Sequence, residues 1–411
     1  MLIIYRILIN IIFLISPFIL FYRLIKKKEH PIRFKEKLGL FTKTRKKGLL
    51  IWFHGASVGE LKSIMPIVLK LHKNRKIKQI LITSSTLSSS GIINNLKLKK
   101  VTHQFFPIDT NFISKKFLAY WKPSKAIFID SEIWPNTMLN LEKSKINTYL
   151  VNGRITEKTF KKWMIINFFS KKIFGIFKLC LASDKTSYDF LKKLGARNIR
   201  FIGNLKFSKD KNDKNINSSA INKFFKGKKI WCASSTHRTE EFTCGKVHLK
   251  LKKKFKNICT IIIPRHIERN KSIKNELESL NLKVHLEASN KNIEKNTDIY
   301  LVNSFGKTKL YFNKSKIVFL GGSLISHGGQ NPIEAARSGC SILTGPNISN
   351  FSEIFLFLKK NNICDIIYNE NDLAKKIMLK LSKNNNTKNL IKKIDIIGKK
   401  IFNETYNEIF L

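Results

Sequence analysis

The stretch "FHGASVGE", residues 53–60, joins an apolar run to a segment with helical spacing. The run before it, "GLLIW", is typical of a buried strand, and "LKSIMPIVLKLHK" after it repeats apolar residues at helical intervals. The turn consists of small residues and ends at a single carboxylate, Glu60. A strand that passes through such a turn into a helix is the repeating unit of parallel α/β sheets. The stretch therefore predicts an α/β fold with Glu60 on the sheet edge where such folds bind ligands.

Glu60 has a plain interpretation and a functional one. A carboxylate in the first turn of a helix often only complements the helix dipole. A simple cap, however, needs no glycine on either side of Ser57. We expect the glycines to clear space for a substrate, and the free amides of the helix start to keep Glu60 ionised and ready to accept a proton.

The strand-to-helix alternation continues along the chain in two series. Each apolar run ends in polar residues or glycine, as parallel strands with crossover helices do. The first series, over residues 49–205, is "LLIWFHG", "IKQILITSST", "VTHQFFPID", "KAIFID", "NTYLVNG", "FKLCLAS" and "NIRFIGN". The second, after residue 223, is "KIWCASSTH", "NICTIIIPRH", "LKVHLEA", "DIYLVNS", "KIVFLGGS" and "SILTGPN". Because 411 residues are long for one core, we predict two such sheets that face each other across a cleft.

The charge is strongly positive, with 77 Lys and Arg against 28 Asp and Glu and a formal net charge of +49. Such a field attracts phosphates, nucleic acid or an anionic bilayer. The excess is mostly lysine, spread along the chain as A/T-biased codon usage would produce, and it is not concentrated on one element. We therefore predict no nucleic-acid partner.

The six cysteines show no CxxC pair and no zinc-ligand spacing, which predicts neither disulfides nor a structural metal.

The N-terminus predicts a membrane anchor. The run "ILINIIFLISPFILFY", residues 7–22, contains no charge and lies at the short limit for crossing a bilayer, where about 17 to 25 residues are usual. No small-residue cleavage site follows, and "KKKEHPIRFKEK" comes next, so the anchor is expected to remain uncleaved. The basic flank predicts that the rest of the chain stays in the cytoplasm. Whether the segment spans the membrane or lies in its interface is open, and Asn10 and Pro17 mildly favour the interface.

Further polar residues fall at the predicted strand ends of the first series. "IDSEIWPN", residues 129–136, places Asp130 and Glu132 after a strand. A metal site usually needs more oxygen donors than this pair, so we expect charge stabilisation rather than metal binding. "GNLKF", residues 203–207, places Lys206 at the corresponding end of another strand.

The second series contains two motifs that are typical of phosphate binding. "IIIPRHIER" ends a buried strand in Pro264 and Arg265, and an arginine there can hold phosphate by paired hydrogen bonds. "FLGGSLISHGGQNPIEAARSGCSILTGPN", residues 319–347, has two glycine pairs that should allow close approach of a ligand. A helix is expected to begin at Asn331-Pro332, so its amides would take a phosphate and Glu334 would bind ribose hydroxyls.

Together these motifs resemble the 3-deoxy-D-manno-oct-2-ulosonic acid (Kdo) transferases of lipopolysaccharide assembly. The resemblance runs in order through the N-terminal anchor, "ASVGE", "SEIWPN", "NGRIT", "GNLKF", "STH", "PRHIER" and "GGSLISHGGQNPIEAA". It implies the GT-B fold, with two Rossmann-like domains, and a last helix that returns to the first domain. The predicted boundaries are an anchor over 1–25, an acceptor domain over 26–207, a linker over 208–223, a CMP-Kdo domain over 224–395 and the returning helix over 396–411.

The resemblance also implies roles for individual residues. Glu60 matches the catalytic base, while Asp130, where the family usually carries Glu, and Lys206 match residues that stabilise the transition state. The implied CMP-binding residues are Pro264, Arg265, Phe305, Gly306, Lys307, Asn331, Pro332, Ile333 and Glu334. The chain departs from the family at "NSFGKTKL", where the usual aspartate and G-E-L are replaced and Lys307 stands in place of Glu.

The resemblance predicts an inverting, metal-independent glycosyltransferase without a cofactor. It would move Kdo from CMP-Kdo to the tetra-acylated lipid A precursor, at the cytoplasmic face of the cell inner membrane. An enzyme of the same architecture that uses a UDP-sugar donor and another membrane lipid is the alternative. The number of Kdo units transferred is left open.

Overall fold

The structure, a computed structural model, describes residues 1–208, 219–287, 293–304, 306–382 and 387–411. It divides into two compact units, and each contains its own sheet. The first unit consists of Met1–Lys211 and Gly398–Leu411, and the second consists of Asn212–Ile397. Of the predicted linker over 208–223, residues 209–218 lie outside the described residues.

The first unit is built on a seven-stranded parallel sheet. Its strands are β1 (Leu49–His54), β2 (Ile77–Ser84), β3 (Val101–Phe105), β4 (Lys125–Ile129), β5 (Asn147–Gly153), β6 (Leu179–Ala182) and β7 (Ile199–Phe201). Their order across the sheet is β3-β2-β1-β4-β5-β6-β7. The strand order therefore reverses between β1 and β4, and the crevice at such a reversal is where open α/β sheets bind ligands.

Helices connect these strands and cover the sheet. They are α1 (Leu2–Ile25), α2 (Val58–Lys73), α3 (Leu87–Asn95), α4 (Asn111–Trp121), α5 (Pro135–Lys143), α6 (Glu157–Met164), α7 (Asn167–Phe174) and α8 (Lys185–Lys193), with 3₁₀ turns at Arg33–Leu38 and Leu205–Phe207. The main core of the unit is aromatic, with Trp52, Phe117 and Trp121 fully buried. Buried rings of this size supply much of the apolar burial that stabilises the unit.

The second unit repeats the architecture. Its strands are β8 (Lys229–Thr236), β9 (Ile258–Pro264), β10 (Val284–Leu286), β11 (Ile299–Leu301), β12 (Ile317–Leu320), β13 (Ser341–Thr344) and β14 (Cys364–Ile366), and its helices are α9 (Ser219–Phe225), α10 (Glu240–Lys252), α11 (Asn270–Glu278), α12 (Thr308–Lys314), α13 (Ile333–Arg337), α14 (Ser352–Lys360) and α15 (Glu370–Ser382). The parallel strands lie in the order β10-β11-β9-β8-β12-β13-β14, so the reversal falls between β8 and β12.

The predicted α/β fold with two parallel sheets is confirmed. Each quoted apolar run of both series contains one of the observed strands. The strand β14, which has three residues, was not predicted from the sequence. It carries Asp365 in its middle and pairs only with β13 at the sheet edge, so it lacks the apolar run by which the other strands were recognised.

The last helix, α16 (Thr387–Phe410), brings the C-terminus to the first unit. Gly398 packs against the backbone of Phe207, so a side chain at position 398 would collide with the Phe207 carbonyl. Further along α16, the ammonium of Lys70 lies 3.6 Å from the centre of the Tyr406 ring, and Glu408 pairs with Arg200. The helix is thus held to α2 and β7 by packing, a cation–π contact and an ion pair.

The N-terminal helix α1 lies against the first unit along one stripe and exposes apolar residues elsewhere. Ile9, Ser16 and Leu20 are buried in the stripe. Near the start of the helix, Tyr5 donates a hydrogen bond to Asp109 Oδ2 at 2.8 Å and Arg6 Nε donates to Asn136 Oδ1 at 3.0 Å. Among the described residues, α1 is the helix whose length and apolar composition would allow it to cross a membrane.

Replacement of two helical glycines by alanine should have opposite effects on stability. Gly398→Ala forces a methyl group into the Phe207 carbonyl and should lower the free energy of unfolding by about 1 to 3 kcal/mol. Gly91→Ala adds a methyl group that meets nothing within 4 Å, and a better helix former there should raise the free energy by up to about 1 kcal/mol. Urea unfolding of both variants checks this, and equal shifts would contradict the packing of α16.

Candidate functional site

The carboxylate of Glu60 is held by the turn that precedes it. Ser57 is the N-cap of α2, and its hydroxyl donates to Glu60 Oε1 at 2.6 Å. The amide of Ala56 donates to Glu60 Oε2 at 2.7 Å, and Ser57 Oγ accepts from the Glu60 amide at 3.4 Å. This reciprocal capping fixes both carboxylate oxygens. Glu60 therefore stands in one orientation at the carboxyl end of β1.

Burial raises the pKa of Glu60 above its usual value. The hydrogen bond from Ser57 opposes this shift, while the negative charges of Asp130 and Glu132 add to it. The expectation that the helix start would keep the carboxylate ionised is therefore incomplete, because desolvation outweighs the two hydrogen bonds. A carboxylate with a raised pKa binds a proton more readily than an ordinary glutamate does, which suits a general base.

The two glycines of this turn have different roles. Gly55 is buried, and a Cβ atom there would lie 3.1 Å from Ile129 and 3.2 Å from the Cβ of Glu60. Its missing side chain therefore gives room to the protein's own atoms, and the expectation of substrate space is wrong for this residue. Gly59 is exposed, and a Cβ there would meet nothing closer than Ser57 Oγ at 3.9 Å.

Asp130 follows β4, the neighbour of β1 at the reversal of strand order, and its charge acts on Glu60. It has a left-handed backbone with φ of 56°, a conformation that asparagine and aspartate adopt more readily than most residues. Lys206 Nζ donates to Asp130 Oδ2 at 3.0 Å, and the side-chain nitrogen Nδ2 of Asn152 donates to Oδ1. Asn152 Oδ1 accepts from the Leu205 amide at 2.7 Å, so it ties the Lys206 turn to the site. No role was predicted for Asn152 from the sequence, although "NG" at a strand end signals a special backbone conformation.

Glu132 has partners that the sequence did not reveal. His54 Nε2 lies 3.2 Å from Glu132 Oε2, and Trp134 Nε1 donates to the same oxygen at 3.1 Å. Burial alone would raise the pKa of Glu132, but these bonds outweigh it and lower the pKa below its usual value. Of these two carboxylates, Glu60 is therefore the better proton acceptor, and Glu132 remains a fixed negative charge.

In the second unit, the buried carboxylate of Glu240 accepts hydrogen bonds from the backbone amides that follow β12. Glu240 Oε2 accepts from the Gly322 amide at 2.7 Å and from the His237 amide at 3.0 Å. Its Oε1 accepts from the amides of Ser323 and Leu324, each at 3.1 Å. These amides are therefore used within the protein.

The first glycine pair after β12 serves the same packing. A Cβ on Gly321 would lie 2.6 Å from the Cα of Thr236 and 2.7 Å from Glu240 Oε2. The expectation that Gly321 clears room for a ligand is wrong, because the glycine makes room for the last residues of β8 and for the Glu240 carboxylate. Gly322 adopts φ of +67°, which glycine tolerates at no steric cost.

Pro264 and Arg265 come together with the turn after β8. Pro264 ends β9, and the Arg265 amide donates to the Thr236 carbonyl at 3.0 Å. The Arg265 side chain is exposed and makes no ion pair within the described part of the chain. Its charge helps to lower the pKa of the neighbouring His237. An unpaired guanidinium at a strand end is a suitable anion ligand.

The segment Asn331 to Glu334 lies at the start of α13, a helix of five residues. Asn331 Oδ1 accepts from the Ile333 amide at 3.1 Å, so one of the amides expected to take a phosphate is already occupied. Pro332 is buried and precedes the first helical residue. Glu334 Oε2 accepts from Thr308 Oγ1 at 3.2 Å, which joins this segment to the segment that contains Gly306 and Lys307.

Across the described residue ranges, no group of three or more His, Cys, Asp or Glu side chains is arranged to hold a metal ion. Metal independence stays a prediction.

Comparisons with known proteins identify the family. Residues 32–209 match the family described as 3-deoxy-D-manno-octulosonic-acid transferase (kdotransferase). The 3-deoxy-D-manno-octulosonic acid transferase of Rickettsia felis is 34% identical over 337 residues, which cover 82% of this chain and 72% of that protein. This chain belongs to the Kdo transferase family. The corresponding transferase of Rickettsia bellii is also 34% identical, over 83% of this chain and 82% of that protein.

These relatives confirm the predicted enzyme class, a glycosyltransferase. Among solved structures, a putative UDP-N-acetylglucosamine 2-epimerase from Listeria monocytogenes superposes with a TM-score of 0.59 at 12% identity, over 88% of this chain and 96% of that one. This likeness concerns the fold alone, which is of the GT-B type.

Lys307, where the resemblance predicts a departure from the family's usual glutamate, has a carboxylate partner within the second unit. Phe305, predicted to bind CMP, lies outside the described residues. Lys307 Nζ lies 3.1 Å from Glu287 Oε1, which also accepts from the Tyr311 hydroxyl at 2.6 Å. The other oxygen of Glu287 accepts from the Asn303 amide at 3.0 Å and from the Ser304 hydroxyl at 2.6 Å. Glu287 thus binds Asn303 and Ser304 and forms an ion pair with the Lys307 ammonium.

Replacement of Lys307 by glutamate, the residue that the resemblance implies for the family, should therefore lower the stability of this transferase. Lys307→Glu places a second carboxylate against Glu287, and like charges about 4 Å apart repel by several kcal/mol at an effective dielectric of about 20. Lys307→Met removes only a half-exposed ion pair, worth about 1 kcal/mol or less. We expect Lys307→Glu to lower the free energy of unfolding clearly more than Lys307→Met does, and urea unfolding measures both. The double variant Glu287→Gln/Lys307→Glu should recover part of the loss; equal effects of the two single variants would contradict the role of Glu287.

Proposed function

We propose that this transferase moves Kdo from CMP-Kdo to the tetra-acylated lipid A precursor, with Glu60 as the general base. Membership of the family supports the transferred sugar. The base is supported by one observation above all. The Glu60 carboxylate accepts hydrogen bonds from two donors at the strand-order reversal. Its pKa is raised by burial, and the negative charge of Asp130 adds to this shift.

The proposed reaction is a single displacement. Glu60 takes the proton of an acceptor hydroxyl as the hydroxyl oxygen forms a bond to the anomeric carbon of Kdo. The bond from that carbon to the phosphate oxygen breaks, and its electron pair leaves with CMP. Because CMP departs as a stabilised phosphate anion, it needs no acid to protonate it, in contrast to the alkoxide that leaves in glycoside hydrolysis. One carboxylate base is then sufficient.

Positive charge has to stabilise the departing phosphate. Arg265, whose side chain is exposed and makes no ion pair among the described residues, is proposed to bind it by paired hydrogen bonds. Lys206, held at 3.0 Å by Asp130, is proposed to stabilise the negative charge that develops in the transition state. The short helix α13 has a smaller part than the sequence suggested, because Asn331 already occupies one of its amides.

Loss of the Glu60 base should reduce the transfer rate by at least a hundredfold. General-base assistance typically contributes about 10² to 10⁴ in rate, and Glu60→Gln keeps the shape of the side chain without its basicity. The assay is mass spectrometry of lipid products formed from CMP-Kdo and the lipid A precursor, with UDP-sugars as competing donors. Product from a UDP-sugar but not from CMP-Kdo would refute the proposed donor.

Glu157→Gln provides the matched control for this measurement. Glu157 is an exposed glutamate that pairs with Lys161 one turn away, so its replacement should leave the rate unchanged. A Glu60→Gln enzyme within a few-fold of this control would remove Glu60 from the role of base.

We also propose that the enzyme is bound to the cytoplasmic face of the inner membrane through α1. Most of the helix surface is apolar and exposed; Ile3, Ile7, Leu14 and Phe18, for example, are each more than half exposed. Three consecutive lysines, Lys26 to Lys28, follow the helix and match an anionic lipid surface in charge.

Binding to anionic vesicles should require α1 and weaken with salt. Each lysine near an anionic surface contributes about 1 kcal/mol, so replacement of Lys26 to Lys28 by glutamine should weaken vesicle binding by tenfold or more at low salt. The same replacement at Lys253, Lys254 and Lys256, exposed residues of the second unit, is the control for total charge. Vesicle sedimentation measures both variants. Salt-insensitive binding that survives deletion of residues 1–25 would contradict the proposal.

A further inference from the structure

Three histidines from different loops meet at the strand-order reversal of the second unit. His237 follows β8, His266 follows β9 and His327 follows β12, and these three strands are neighbours in the sheet. The ring centre of His237 lies 4.2 Å from that of His327 and 5.8 Å from that of His266. The two outer rings are exposed, whereas His237 is 7% exposed. The cluster is therefore an inner imidazole with two outer ones, open to solvent on one side.

The charged side chains around this cluster leave positive charge without a partner. Arg265 is unpaired among the described residues and Arg269 forms an ion pair with Glu241 at 3.1 Å. Glu240 faces the cluster from α10, but its oxygens accept from four backbone amides, including that of His237. The remaining acid is the exposed Glu268, which lies 3.3 Å from His266. Within the described ranges, the inner face of the cluster thus offers imidazoles and a guanidinium without a facing carboxylate that is free to bind them.

The His237 side chain is neutral at neutral pH because its pKa is lowered. Burial lowers its pKa to about 4, and the positive charges of His327, His266, Arg265 and Arg269 add to the shift. Gln330 Nε2 lies 3.3 Å from His237 Nε2, which fits a neutral ring that accepts a hydrogen bond. A bound anion would reverse the balance, because a negative charge within about 4 to 6 Å favours the protonated form of histidine.

Kdo has an unusual arrangement of charge at its reacting carbon. The anomeric carbon of this sugar acid carries a carboxylate as well as the bond to the phosphate, so CMP-Kdo presents two anionic groups on one atom. A site for such a donor needs two adjacent positions for anions. Arg265 and the histidine cluster are adjacent and come from neighbouring strand ends.

We propose that His237, His266 and His327 form the subsite that binds the carboxylate of the sugar acid, next to the phosphate held by Arg265. This inference rests on the proposed function and specifies it, because the subsite would distinguish a sugar-acid donor from a neutral nucleotide sugar. His327 and His266 donate to the carboxylate from the open side, and His237 closes the inner side once it has taken up a proton.

The test compares two ligands that differ in the sugar acid. Affinities of the full-length protein for CMP and for CMP-Kdo are measured by isothermal titration calorimetry. We expect His237→Gln and His327→Gln to weaken CMP-Kdo binding at least tenfold and CMP binding less than threefold. His327 is exposed, so its variant is not expected to disturb folding. His285→Gln is the control, because His285 lies on β10 and packs on Tyr300, away from this cluster.

The pH dependence gives a second readout. Uptake of a proton by His237 predicts that CMP-Kdo affinity falls as the pH rises from about 4 through the higher pKa of the bound state, and that this dependence is reduced in His237→Gln. Equal losses for CMP and CMP-Kdo would overturn the carboxylate assignment, since the histidines would then serve the phosphate. Unchanged affinities for both ligands would overturn the subsite. Failure of the unmutated protein to bind CMP at all would overturn the proposed donor itself.

Discussion

The carboxylate of Glu60 is fixed by two donors that lie within four residues of it, the Ala56 amide and the Ser57 hydroxyl. The rest of the first site depends on this constraint. Gly55 has to lack a side chain because Glu60 and Ile129 fill its place, and β4 has to lie beside β1 for Asp130 and Glu132 to raise the pKa of Glu60. A base that is oriented before the substrate arrives loses little entropy in the reaction.

The second unit uses carboxylates in a different way, as internal supports for loops. Glu240 binds the amides after β12, and Glu287 binds the segment that carries Lys307. Backbone amides that a glycine-rich sequence would assign to a phosphate are therefore already occupied. The guanidinium of Arg265, which has no ion-pair partner among the described residues, and the imidazoles around His237 are the groups that we propose for the anionic donor.

The architecture and the position of Glu60 at the end of β1 could be predicted from the sequence, because both depend on local patterns. Runs such as "LLIWFHG" show their strand directly, and the small residues before Glu60 mark the turn. The partners of the site could not be predicted, since they join residues distant in the chain: Asn152 meets Asp130 across 22 positions, and His54 meets Glu132 across 78. The roles of two glycines were wrongly predicted for the same reason. Gly55 and Gly321 leave room for side chains and backbone from distant parts of the chain, and the sequence does not distinguish such a glycine from one that leaves room for a ligand.

In the proposed reaction, one carboxylate base suffices because the acceptor oxygen displaces CMP directly. The anomeric configuration of the transferred Kdo tests this most directly, and NMR spectroscopy of the lipid product can determine it against the configuration of CMP-Kdo. Direct displacement predicts an inverted configuration. A product with the configuration of the donor would require a second nucleophile and an enzyme-bound intermediate, and would contradict the account.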